Sequence, residues 1–188
     1  MLNIDTEQVP GVYHRKIGEV LVTAISDGYI DAPYAALQNI SKEKAHTILS
    51  NEFRLPPPRI SVNCYIIRCS GKIAIIDTGS GDTMGPTLGM LPKLLRALDI
   101  GLEQVDSILL THMHPDHSNG LSDSMGGRLF PNAEVVVSEK DVAFWHDDGE
   151  MARASESQRV RYFEGARFQI APYMDRIKPA GGDVFPNV

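Results

Sequence analysis

The sequence has little of what would mark a secreted, membrane-bound or nucleic-acid-binding chain. Its two cysteines, Cys64 and Cys69, are too few for a disulfide framework. Both lie near one predicted strand at an odd spacing, so a regular strand turns them to opposite faces, and they are expected to be reduced. Positive charge is in deficit: 18 Lys and Arg against 24 Asp and Glu give a net charge of −6, the wrong sign for a nucleic-acid surface. No apolar run is long enough to cross a bilayer. The first residues, Met1-Leu2-Asn3-Ile4-Asp5-Thr6-Glu7, lack the basic and apolar regions of a signal peptide. The expectation is a cytoplasmic protein with no nucleic-acid or membrane partner. What remains is globular composition, 43% hydrophobic and 22% charged, and 188 residues suffice for one domain with a core.

The chemistry concentrates in Thr111-His112-Met113-His114-Pro115-Asp116-His117. Three histidines and an aspartate follow the apolar run Ser107-Ile108-Leu109-Leu110. Imidazole and carboxylate are the nitrogen and oxygen donors that zinc, iron and manganese accept. On extended backbone His112 and His114 point the same way. Pro115 breaks the strand, and the turn it forces can swing Asp116 and His117 back. His112 and His114 would then serve one ion, Asp116 and His117 a second.

His-x-His-x-Asp-His after a strand resembles the signature of the metallo-β-lactamase superfamily. Ser61-Val62-Asn63-Cys64-Tyr65, Ile75-Ile76-Asp77-Thr78-Gly79, Gly85-Pro86-Thr87-Leu88-Gly89 and Phe130-Pro131-Asn132-Ala133 are similar to the methyl parathion hydrolase branch, itself similar to the quorum-quenching lactonases. The resemblance runs from about Pro10 to the C-terminus. It implies a hydrolase with two divalent transition-metal ions, zinc first and iron or manganese as alternatives, held by His112, His114, Asp116 and His117. A metal-bound hydroxide would cleave an organophosphate triester, a lactone or a carboxylic ester, with Asp116 also steering the proton. Asp77 would orient the imidazoles from behind, and Trp145 and Phe163 would line an apolar pocket, unless they are ordinary core aromatics.

The chain departs from the family in one respect. The resembled fold is an αββα sandwich of two similar halves, and its later half carries further ligands in a Gly-His-Thr-Pro-Gly-His type of segment, expected soon after Val188. His14, His46 and His146 lie in no such context. The expected fold class is therefore α/β, the N-terminal half of that sandwich, with residues 1–188 a single domain incomplete at its C-terminus. A sheet left without its partner sheet is expected either to form a homodimer or to be covered in cis as part of a longer polypeptide. The rival reading is a non-catalytic half-domain with a vestigial metal motif that folds by association.

The remaining expectations are local. Residues 12–26 read as two strands turning at Ile17-Gly18-Glu19, and Val20–Ile25 as a strand covered on both faces. Asp27-Gly28 reads as a turn. Ser41 is a predicted N-cap for a helix to about Ser50. Leu55-Pro56-Pro57-Pro58 excludes helix and central strand. Strands are predicted over Val62–Ile67, Lys72–Ile76, Val105–Leu110 and Glu134–Val137. Leu91, Leu94, Leu95 and Leu98 give helical periodicity. Gly79 and Gly81 lack the lysine and spacing of a phosphate loop. Glu139–His146 and Gln158–Ile170 read as helices, residues 147–157 as mobile polar chain, and Arg176–Pro179 as a weak strand.

Overall fold

The computed structural model describes residues 9–181. One seven-stranded sheet runs in chain order, formed by β1 (Val12–Ile17), β2 (Val20–Asp31), β3 (Arg59–Cys69), β4 (Lys72–Ile76), β5 (Ser107–Leu109), β6 (Glu134–Val137) and β7 (Ile177–Pro179). The first four strands pair antiparallel. From β4 onward the pairing is parallel. The change follows from the connections: short turns join β1 to β2 and β3 to β4, whereas parallel neighbours need long crossovers. The expected α/β class holds.

Those crossovers carry helices α2 (Leu91–Ala97), α3 (Pro115–Ser118) and, after β6, α4 (Glu139–Trp145), α5 (Asp148–Arg153) and a helical stretch over 156–176. Helix α1 (Lys42–Asn51) sits between β2 and β3, and Ser41 caps it as predicted, its hydroxyl accepting from Lys44 N at 3.2 Å. The leucine stripe of α2 packs Leu91, Leu94 and Leu95 onto Ile25, Cys64, Ile66, Ile75, Ile108 and Val135 of the sheet. Tyr173 closes the far end of that core. Its hydroxyl donates to Leu121 O at 2.9 Å and accepts from Phe130 N at 3.0 Å.

Two expectations change. The strand Val20–Ile25 is not covered equally on both faces: along β2 buried and half-buried residues alternate. On the less covered face the registers align Tyr13, Ala24, Tyr65, Ile76, Leu109 and Val136 in one row across six strands, with Tyr13 and Tyr65 exposed. Asp27-Gly28 is not a turn between strands. It sits inside β2 at a register shift between Ser26 and Gly28, where the extra residue bends the strand. Gly28 is required there because a Cβ would lie 1.9 Å from Thr87 O.

Residues 147–157 are also more ordered than their polarity suggests. The Asp147 carboxylate accepts from Gly149 N and Glu150 N and caps α5. Among the described residues no helix is long and apolar enough to cross a membrane.

Candidate metal centre

The site lies beyond the C-terminal ends of β4, β5 and β6, where open α/β sheets place their ligands. Parallel pairing sets Ile76 beside Leu109 and Leu109 beside Val136. The residues that follow, Asp77 and the 111–117 loop, therefore emerge side by side although 34 residues separate Asp77 from Thr111. Strand β5 ends at Leu109, shorter than predicted, and Pro115 begins the one-turn helix α3 with His114 as its N-cap residue. Proline is preorganised for that first helical position.

Three imidazoles meet there. The His112 ring centroid is 4.5 Å from that of His114 and 4.0 Å from that of His117. Asp116 joins them through His117, its Oδ2 lying 3.2 Å from Nε2. Asp77 buttresses the group from behind. Its backbone adopts a left-handed φ of 57°, unusual for a residue with a Cβ. In that conformation its Oδ1 accepts from Thr111 N at 2.8 Å, and its Oδ2 takes the Thr111 hydroxyl at 2.8 Å and His117 Nδ1 at 2.7 Å. A carboxylate only accepts, so metal-free His117 donates from both ring nitrogens, Nδ1 to Asp77 and Nε2 to Asp116.

The electrostatics follow from this crowding. Hydrogen bonds donated to Asp116 first and Asp77 second push the His117 imidazole up to about 9. His112 moves the other way, lowered by burial and then by its two histidine neighbours. Asp116 is held below the usual carboxylate range, chiefly by its bond to His117.

Behind this layer, buried Asp27 organises the loop that follows β4. Its carboxylate accepts from Ser80 N, Gly89 N and Leu91 N at 3.0, 3.2 and 2.9 Å. Gly79, at φ 69°, is needed because a Cβ would fall 2.3 Å from that carboxylate. Burial nevertheless raises the Asp27 carboxyl, against those hydrogen bonds.

The aromatic residues stand beside His114. Its ring lies 5.6 Å from Trp145 and 5.2 Å from Tyr162. A cleft of about 440 Å³ is lined by His114, Phe144, Trp145, Arg153, Tyr162 and Phe163. Trp145 and Phe163 are thus both buried core residues and cleft lining. A larger cleft of about 640 Å³ flanks the other side of α3, but none of the three histidines lines it.

The donor types fit a transition metal: imidazole nitrogens and a carboxylate, with another carboxylate fixing the tautomer of one imidazole, which is how metal-binding histidines are oriented. Among the described residues, no three His, Cys, Asp or Glu side chains already stand as a coordinating group. The other histidines are engaged elsewhere, His14 with Thr23, His46 with Tyr34 and His146 with Val142 O. Sequence reasoning missed Asp27, taken for a turn residue, and Asp141. The latter's only signal was its helical spacing of four from Trp145.

A family model described as the metallo-beta-lactamase superfamily matches residues 57–186. The chain belongs to the metallo-beta-lactamase superfamily. A crystal structure of the hydrolase AbOPH, described as in the beta lactamase superfamily, is 32% identical with a TM-score of 0.84, over 95% of this chain and 64% of that one. A dizinc quorum-quenching lactonase, AidC, solved with the product N-hexnoyl-L-homoserine, shares the fold at a TM-score of 0.83 and 22% identity, over 94% of this chain and 63% of that one. A curated atrochrysone carboxyl ACP thioesterase from Passalora fulva is 38% identical over 72 residues, 38% of this chain and 20% of that protein. This superfamily chain therefore spans less than two-thirds of the length of each of these relatives.

Proposed function

We propose that the protein is a metal-dependent hydrolase of the methyl parathion hydrolase and quorum-quenching lactonase branch, acting on an ester-type bond in an organophosphate triester, a lactone or a carboxylic ester. The observation that carries this reading is the Asp77–His117 contact at 2.7 Å, within a cluster of imidazoles 4.0–4.5 Å apart. The AbOPH hydrolase and the AidC lactonase support the branch. His112, His114, Asp116 and His117 would hold two divalent ions, zinc first. Such ions supply Lewis acidity to a carbonyl or phosphoryl oxygen and acidify water near neutral pH.

The chain's own groups then have defined tasks. Asp77 would hold a proton on His117 Nδ1, so that metal binding displaces only the Nε2 proton and takes that lone pair. Asp116, beside Nε2, would ligate one ion and steer the proton. The open cleft walled by Trp145, Tyr162 and Phe163 would receive the aryl or acyl part of a small substrate beside His114. The two free, buried cysteines accord with a cytoplasmic home. The apolar row across β1–β6 supports a homodimer in which a second copy covers it.

The experiment is elemental analysis and a hydrolysis panel of aryl phosphotriester, acyl homoserine lactone and aryl acetate on this 188-residue chain. Metal at one to two ions per chain with turnover of one class supports the reading. One observation favours the rival, a non-catalytic half-domain folding by association: no three donors are yet arranged as a coordinating group among the described residues. A chain that binds no metal and turns over nothing would reject the reading that these 188 residues act as a hydrolase by themselves.

A further inference from the structure

Asp141 sits in the first turn of α4 and faces the metal loop. Its Oδ2 accepts the Met113 amide at 2.6 Å, and its Oδ1 accepts the Trp145 indole Nε1 at 3.1 Å. Met113 lies between His112 and His114, and its side chain is 1% exposed within the core. The link between the two histidines is therefore fixed from both sides, by packing on one and by a carboxylate on the other. Trp145, held by the same carboxylate, is the cleft wall 5.6 Å from His114.

We propose that Asp141 is a positioning residue that ties the histidine loop to the aromatic cleft, so that the aim of His114 and the place of the cleft wall are set together. This rests on the metal-centre reading above. An acidic residue in a first helical turn also favours the helix dipole, but that role needs neither bond. Both partners are donors, so both carboxylate oxygens are needed as acceptors. An amide keeps one and turns an NH₂ group towards the other donor. A glutamate keeps both acceptors on a stem one methylene longer.

The test uses the full chain, stripped with chelator. Trp145 is the only tryptophan, so all indole emission reports this contact. Zinc chloride titrations are compared for wild type, D141N, D141E and W145F. Hydrogen exchange is read at the Met113 amide and the Trp145 indole. D141N is expected to keep its far-UV spectrum, shift its emission to the red, lose protection at both N–H groups and weaken zinc binding by about tenfold, the lower end for groups that support ligands from behind. D141E should recover part of each loss. W145F should keep Met113 protection and bind zinc within about twofold of wild type, because the loop bond survives.

Unchanged zinc affinity or unchanged protection in D141N overturns the proposal. So does a W145F loss as large as that of D141N. If D141N does not fold, D141E, W145F and wild-type exchange decide. A Met113 amide that exchanges freely in wild type rejects the role. Should wild type bind no zinc, the metal reading falls, and protection at Met113 and Trp145 alone then judges Asp141.

Discussion

Asp77→Asn tests the core of the site by moving a single proton. The Thr111 amide can only donate, so the new side chain must turn its one oxygen towards Thr111 N, where Asp77 Oδ1 now accepts at 2.8 Å. The amide NH₂ then occupies the place of Oδ2, facing the Thr111 hydroxyl and His117 Nδ1. The hydroxyl can accept. Neutral His117, the form that binds metal, can accept at Nδ1 only by carrying its proton on Nε2, the nitrogen beside Asp116. That removes the lone pair offered to a metal. Asparagine also tolerates the left-handed backbone that Asp77 adopts.

The fold should therefore lose only about 1.5–3 kcal/mol, the worth of one hydrogen bond to a charged group. Zinc affinity should fall about 10–100-fold, the usual effect of losing an outer carboxylate on a ligand histidine. Asp77→Gly and Asp77→Ala complete the series. Both lose every acceptor, and alanine should be about 1 kcal/mol less stable than glycine because only its Cβ clashes at φ 57°. Urea unfolding, zinc competition with a chromophoric chelator and nitrogen-15 shifts of His117 read the three effects. Wild-type zinc affinity in Asp77→Asn, or a proton still on Nδ1, would refute the reasoning.

His114→Ala removes an exposed ring, so urea stability should change by less than about 0.5 kcal/mol. Hydrolysis by metal-loaded protein should be lost, and activity within a few-fold of wild type with metal retained would reject the ligand role. Tyr173→Phe leaves the buried Phe130 amide without its acceptor at 3.0 Å and should cost about 1–3 kcal/mol in urea unfolding. In metal-free protein the His117 value of about 9 exceeds the ordinary 6.5. The stability it contributes is full below 6.5 and is lost as pH rises through about 9. Urea midpoints should fall across that window and flatten in Asp116→Asn; a flat wild-type profile would contradict the ion pairing. Light scattering should find self-association that Tyr65→Glu weakens, because Tyr65 stands exposed in the apolar row; a monodisperse monomer rejects the homodimer.

The elements built by local rules were legible in the sequence. Ser41 announced α1, the leucine stripe announced α2, and Pro115 announced a turn after His114, although the strand itself stops at Leu109. The histidines were legible as well, because such donors have little reason to cluster otherwise. What was hidden depends on partners distant in the chain. Asp27-Gly28 has the composition of a turn, yet loop amides more than 50 residues later hold it inside a strand. Asp141 looked like one more charge on a helix until its contact with Met113, 28 residues away, was seen. The polar 147–157 stretch seemed unable to order itself because Asp147 capping is a backbone event that periodicity does not report.

The parallel order of β4, β5 and β6 has a kinetic consequence. Asp77, the histidine loop and Asp141 each follow a different strand, and they meet only when strands joined by long crossovers have docked. Contacts that close large loops form slowly, whereas helix α1 or the β1–β2 hairpin closes within one short segment. Folding and metal binding should therefore be separable in time. In a stopped-flow refolding experiment, helical signal returns first. The ability to capture zinc tightly returns with the final phase, when the three strand ends come into register.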